Sequence, residues 1–252
     1  MTRFALQVEY NGSGFYGWQN QAGLPSIQGH LESALSRVAN EKILVYCAGR
    51  TDAGVHATHQ IAHYDTSALR ALKDWHLGVN TYLPPAIAVR KVIEVNDTFH
   101  ARFSAISRSY RYIIDNRNTR PAINAGQVTW CRLELDAIKM HIAAQVLIGE
   151  HDFTSFRSSQ CESRTPVRCI HSITVTRKGY EVIVEITANA FLHHMVRNIV
   201  GVLLQVGMDR EPPHWVHSVL EARDRRKASV TASPAGLYLV GVAYRPEYQF
   251  LF

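Results

Sequence analysis

The chain has little cysteine and no long apolar run, and each absence excludes a class of protein. Four cysteines, Cys47, Cys131, Cys161 and Cys169, stand among 252 residues with no C-x-x-C pair, which gives neither a disulfide framework nor a zinc ribbon. They are read as reduced thiols. No stretch approaches the length of apolar sequence that a membrane helix needs. The N-terminus, MTRFALQVEYNG, enters a strand pattern at once, where a leader would show a charged region, an apolar core and a cleavage site. A soluble, cytoplasmic protein without a membrane partner is expected. No segment is low-complexity, and neither G-x-S-x-G nor a P-loop occurs.

What is present is a hydrophobic content of 46 %, enough for real cores in one large domain or two small ones. Lysine and arginine number 27 against 21 acids, a net charge of +6. Between Ala101 and Cys131 the imbalance is sharper: Arg102, Arg108, Arg111, Arg117 and Arg120 face the single acid Asp115. Such a stretch is either a solvated basic face or a surface for a polyanion.

Periodicity gives the order of elements. FALQVEY reads as a strand, and IQGHLESALSRVAN as a helix with Ile27, Leu31, Ala34, Leu35 and Val38 at helical spacing and Ser26 as its cap. Strands follow at KILVYC and HQIAHYD, then a helix near TSALRALKDWHLGVN capped by Thr66 or Ser67, then the strand IAVRKVIEV. The second half repeats this order. SRSYRYIID is a strand and DAIKMHIAAQVLIG a helix; CIHSITVTRKGYEVIVEITA is a hairpin turned at Lys178-Gly179. A helix from Ala190 to about Val206 and the strand GLYLVGVAYR complete the repeat, with an extra helix at PPHWVHSVLEARD. The expected fold class is α+β: two tandem ferredoxin-like split β-α-β units, residues 1–104 and 105–252, with antiparallel sheets side by side and an active-site cleft between them. Helices would cover one sheet face and leave the other free for RNA.

Three patterns invite chemistry. Gly12, Gly14 and Gly17 spell G-x-G-x-x-G after a strand, but the helix that would have to begin there is postponed to about Ser26, so a packed glycine turn is the better reading. His56, His59 and His63 suit a helix face by their spacing, yet the chain passes there from a glycine turn into a strand, so structural or RNA-facing roles are expected and no metal is assigned. His193 and His194, adjacent on an expected helix, project in two directions and make no catalytic pair. The stretch CAGRTDAGVHA is different. Arg50 and Asp52 stand one residue apart in a turn, among glycines and alanines too small to cover them. A carboxylate beside a guanidinium is kept ionised, ready to act as nucleophile or base, while the small neighbours let another molecule approach.

The string AGRTDAGVHA resembles the signature loop of the tRNA pseudouridine synthase A family. So, in order along the chain, do YNGSGFYGWQ, SIQGHLESAL, LGVNTYLP, FHARFSA, RSYRYII, DFTSFR, NAFLHHMVRNIVG and GLYLV. The resemblance implies a homodimeric, cofactor-free isomerase that converts uridine to pseudouridine at tRNA positions 38 to 40 in the anticodon stem-loop. It makes Asp52 the catalytic aspartate, Tyr110 the aromatic that stacks on the target base, Arg50 the arginine of base flipping, and Leu237 a pocket residue. RNA contacts are implied for Arg70, Phe99, His100, Arg102, Phe103 and Arg111, and for Gln160, Cys161, Glu162, Ser163 and Arg164. The chain departs from the pattern at Asn118, where a basic residue is expected. The runner-up is a tandem ferredoxin-like protein that binds RNA without catalysis.

Overall fold

Alternation dictates the first strand of the computed structural model, which describes residues 1–251, the last three by backbone alone. Phe4, Leu6, Val8 and Tyr10 point to one side and are buried there. In chain order the elements are β1 (Thr2–Tyr10), α1 (Ile27–Ala39), β2 (Tyr46–Cys47), β3 (His56–Thr66), α2 (Leu72–Tyr82), β4 (Ile87–Val95), β5 (Ala105–Asn116), β6 (Thr129–Cys131), α3 (Ala137–Ala144), β7 (Gly149–Asp152), β8 (Val167–Lys178), β9 (Glu181–Ala188), α4 (Met195–Gly207), α5 (Trp215–Ala222) and β10 (Leu237–Tyr244). The chain is α+β. It divides into two units, one of residues 1–108 together with the segment from Tyr238 onward, the other Ser109–Leu237. The last strand therefore groups with the first unit, where residues 56 and 57 of β3 pair in parallel with 238 and 239.

In the first unit β4, β1 and β3 lie side by side, and β2 pairs with the far end of β3, all antiparallel. This is the strand order of a split β-α-β unit. α1 begins as its sequence requires, with the Ser26 hydroxyl accepting from Gly29 N at 3.2 Å, and stops at Asn40 in the left-handed region, φ 57°. Trp75 of α2 packs on Phe4 and Tyr64, with ring centroids 5.7 and 5.3 Å apart. Burial of one such side chain contributes roughly 1.5–3 kcal/mol.

Two expectations fail here for reasons that lie outside the local sequence. β2 is only two residues long because side chains of α1 take the backbone donors of the preceding segment: Ile43 N donates to Ser36 Oγ at 2.9 Å and Val45 N to Glu32 Oε1 at 3.0 Å. Thr66 and Ser67 do not cap α2. Both hydroxyls donate to the Glu41 carboxylate, as does Ser67 N, and the helix starts later, at Leu72, after Ala71. These bonds hold the Glu41 carboxyl down at about 2.

One end of the sheet face opposite the helices is covered. Arg3 and His63 point to that side, and each holds the segment 96–104 against it. Arg3 Nε and Nη2 fork onto Asp65 at 2.7 and 2.8 Å, while Nη1 donates to the carbonyls of Asp97 and Phe99. Ala101 N donates to His63 Nδ1 at 3.2 Å, and Tyr244 Oη to Ala101 O at 2.9 Å. The expectation of an open sheet face is corrected at this end alone: the loop covers Arg3, Ala5 and His63, while Gln7, Glu9 and His59 beyond it are half-buried and Lys91 is exposed.

The second unit orders its strands β5, β9, β8, β7, with β6 beside β5 in parallel and β8–β9 as the expected hairpin, Gly179 (φ 58°) in its turn. α3 is capped by Asp136, which accepts from Lys139 N at 2.9 Å. α4 is the buried centre, with Val196, Ile199, Val200, Leu203 and Val206 all inside. It starts at Met195, five residues later than its sequence suggests, because His194 adopts φ 62° at the cap position. His193 and His194 thus precede the helix, their rings 4.0 Å apart.

Candidate active site

The loop 48–55 between β2 and β3 is short of large side chains and is fixed by its backbone. Asp52 opens a four-residue turn in which its carbonyl accepts from Val55 N at 3.1 Å, and Gly54 takes the positive φ, 77°, that such a turn places at its third residue. The glycine-rich segment after β1 forms a cradle for this turn. Trp18 N donates to Thr51 O at 2.9 Å, and Gly54 N to Phe15 O at 3.3 Å. A Cβ on Gly17 (φ 88°) would stand 2.6 Å from Thr51 O and 3.0 Å from Asp52 C; one on Gly12 would stand 2.0 Å from Val55 O. Gly14 meets nothing. Two of the three glycines of the G-x-G-x-x-G pattern are therefore required by close approach to the Asp52 loop, and their purpose has nothing to do with a dinucleotide.

The start of the loop is held from the other side. Ala48 N donates to Ile61 O at 2.7 Å, Gln60 Nε2 to Gly49 O at 2.6 Å, and Tyr10 Oη bonds Thr51 Oγ1 at 2.8 Å. Arg108, buried, donates through Nε and Nη2 to Ala48 O at 3.3 and 2.9 Å. Thr51 is buried, Asp52 half-buried and Arg50 exposed. Among the described residues the Arg50 guanidinium forms no ion pair with Asp52. That expected pair is a correction, since the turn tucks the carboxylate in while Arg50 extends into solvent. Cys47, the nearest thiol, is no competing nucleophile: burial pushes it up to about 12 against the opposing charge of Arg50. The arrangement offers one carboxylate on a loop held by backbone and side-chain hydrogen bonds, suited to nucleophilic or base chemistry.

Each of the three histidines of β3 has a partner within the fold. His56 Nδ1 accepts from Gly12 N at 3.0 Å and its ring lies on Tyr238, 4.6 Å between centroids. His59 Nδ1 meets Gln7 Nε2 at 3.0 Å. His63 Nδ1 accepts from Ala101, and burial, aided by His100 and Arg3, pushes the ring down to about 4.

Of the residues expected at RNA, those of 99–103 divide. Phe99 is fully buried against Tyr244 and Tyr248, so its ring cannot touch a substrate. Phe103 is 73 % exposed, with the Arg102 guanidinium 5.6 Å from its ring centre and His100 4.3 Å away on the inner side. Arg70 is exposed and donates to its neighbour's carbonyl, Leu69 O, at 2.9 Å.

In the second unit Tyr110 is buried on β5, its ring edge-on to Phe191 at 5.1 Å. Arg111, next along, is exposed and paired with Glu185 at 2.8 Å. Leu237 is buried and its approach is fixed by the preceding turn: Tyr112 Oη donates to Ser233 O at 2.7 Å, and Gly236 lies so near β5 that a Cβ would stand 2.5 Å from Ile113 O. Gln160, Glu162 and Arg164 are exposed on a loop whose intervening residues are tied down. Arg157 Nη2 donates to Cys161 O at 3.2 Å and Arg168 Nη2 to Ser163 Oγ at 2.6 Å. Nothing in the sequence marks Gln60, Arg157 or Arg168 as anchors of these loops, or separates Arg108, buried on carbonyls, from the solvated arginines around it.

A family model described as tRNA pseudouridine synthase matches residues 6–104 and 143–245. Among curated proteins, a "tRNA pseudouridine synthase A" of Shewanella sp. (strain ANA-3) is 58 % identical over 98 % of this chain and 95 % of its own. One of Shewanella sp. (strain W3-18-1) is 59 % identical, and one of Shewanella piezotolerans (strain WP3 / JCM 13877) 56 %, with the same coverage.

Proposed function

The chain belongs to the tRNA pseudouridine synthase family and isomerises uridine in tRNA, and we propose that it does so at positions 38, 39 and 40 of the anticodon stem-loop with Asp52 as the catalytic carboxylate. The observation that carries the role of Asp52 is its loop: a half-buried carboxylate on a backbone gripped by Gly12, Gly17, Trp18, Gln60 and Arg108. Isomerisation breaks the bond from ribose C1′ to uracil N1, turns the base while it is held, and joins C1′ to C5. No redox change or net hydrolysis takes place, so the reaction calls for no cofactor. The carboxylate serves either as a nucleophile or as the base that removes the 2′ hydrogen.

The target uridine is extruded from the stem at a cost of a few kcal/mol. Arg50, free of a carboxylate partner among the described residues, fills the space left and binds phosphate through its planar fork. Tyr110 stacks on the base and Leu237 lines its pocket; stacking on an aromatic contributes roughly 1–3 kcal/mol. Arg70, Arg102, Arg164 and the exposed ring of Phe103 hold the RNA. The enzyme works in the cytoplasm as a homodimer. A protein that only binds RNA would leave the Asp52 loop without a purpose, since a carboxylate there repels phosphate.

The test is Asp52→Asn, which removes charge but little volume. Tritium release from 5-labelled uridine in tRNA is expected to vanish while fold and tRNA affinity stay close to the parent's. Turnover at a substantial fraction of the parent rate would end the assignment.

A further inference from the structure

Arg108 binds backbone where an arginine in a basic stretch is expected to face solvent. It is 9 % exposed, and its guanidinium donates to carbonyls of three chain segments: Ala48 O through Nε and Nη2 (3.3 and 2.9 Å), Arg102 O through Nη2 (2.7 Å) and Ala105 O through Nη1 (3.2 Å). Burying a cation for such a purpose is costly, and an apolar side chain of similar volume would fill the space at no electrostatic cost. What an apolar residue cannot do is hold two carbonyls at a fixed separation. The planar fork does this, and an ammonium does not.

Two of the three carbonyls, those of Ala48 and Arg102, belong to the segments with the clearest proposed roles. Ala48 begins the loop that presents Asp52; Arg102 lies in the segment 99–103, which carries the exposed Phe103 and Arg102 side chains. Each segment is already anchored elsewhere, the first by Ile61, Gln60 and Tyr10, the second by Arg3, His63 and Tyr244. Arg108 bonds to both.

We propose that Arg108 is a positioning residue that couples the seating of RNA on residues 99–103 to the geometry of the Asp52 loop. The inference rests on the reading of Asp52 and of 99–103 given above. It predicts a signature that neither segment's own residues give: one substitution away from the substrate impairs both the chemical step and the affinity.

The experiment is single-turnover tritium release from a 5-labelled anticodon stem-loop RNA, followed against enzyme concentration so that maximal rate and half-saturation are read separately. Arg108→Lys keeps length and charge and loses the fork. Its maximal rate is expected to fall on the order of 10²-fold, the effect of displacing a catalytic group by about 1 Å, with half-saturation raised several-fold. Arg102→Ala should raise half-saturation alone, and Asp52→Asn should abolish the rate alone. In Arg108→Ala, added methylguanidinium should restore part of both parameters. A change in only one parameter, no change in either, or a fall in active-site concentration with an unchanged rate per site would each overturn the proposal for Arg108. Turnover by Asp52→Asn in the same assay would instead overturn the assignment of the carboxylate.

Discussion

Gly17→Ala puts one methyl group between the glycine segment and the Asp52 loop, and its consequences follow from distances. The new Cβ would lie 2.6 Å from Thr51 O, 3.0 Å from Asp52 C and 3.1 Å from Ala53 N, all backbone atoms. Ordinary contact begins at 3.4 Å, so the loop must retreat by roughly 0.8 Å at Thr51. It cannot retreat freely, because Thr51 is bonded to Tyr10 and Trp18 and the turn beyond it to Phe15. Holding alanine at φ 88° adds about 1–2 kcal/mol. The expected stability loss is therefore at least that much, read as a lower urea midpoint with an unchanged slope. Catalysis should suffer more, since a shift approaching 1 Å at the carboxylate lowers the rate on the order of 10²-fold, while tRNA affinity changes little. Gly14→Ala is the control: nothing lies within 4 Å of its Cβ and its φ is not positive, so rate and stability should stay near the parent's. Parental single-turnover rate in Gly17→Ala, or equal damage from Gly14→Ala, would refute the cradle.

His63 is held neutral by burial, its folded value near 4 lying below the ordinary 6.5. A group depressed in this way adds stability above the unfolded value that is lost as pH falls from about 6.5 toward 4, of order 3 kcal/mol in all; His63→Gln should flatten that part of the profile in urea titrations, and a slope identical to the parent's would contradict it. Arg102→Ala and Arg164→Ala should each reduce the slope of log affinity against log salt by about one unit or less, whereas Arg111→Ala, whose guanidinium already meets Glu185, should alter it least; filter binding across a salt series decides.

What the sequence made legible is what local chemistry decides. Ser26 capping α1, the β8–β9 hairpin and the turn character of CAGRTDAGVHA all follow from neighbours a few residues apart. What it concealed depends on partners far along the chain. Thr66 and Ser67 look like caps until Glu41 takes their hydroxyls, and KILVYC looks like a strand until Glu32 and Ser36 take its amides. β10 reads as the close of the second repeat, and its pairing with β3 is a contact that no local pattern announces. Gly12, Gly14 and Gly17 read alike as a glycine turn, and what sets Gly12 and Gly17 apart is the Asp52 loop some forty residues on.

The arginines carry this point into function. Five of them between Ala101 and Cys131 suggest one basic face, but they do three different things. Arg108 is buried on carbonyls, Arg111 is paired with Glu185, and Arg117 is paired with Asp115 at 2.7 Å. Arg102 and Arg120 remain exposed without a carboxylate partner among the described residues. A stretch that counts as five positive charges therefore offers two of them uncompensated to phosphate. The same sorting applies to Arg3, forked onto Asp65, and to Arg225, turned toward Ser229, Asn198 and Thr231. In Arg3, Arg108 and Arg225 the charge holds backbone carbonyls in place, a use that a count of basic residues does not reveal.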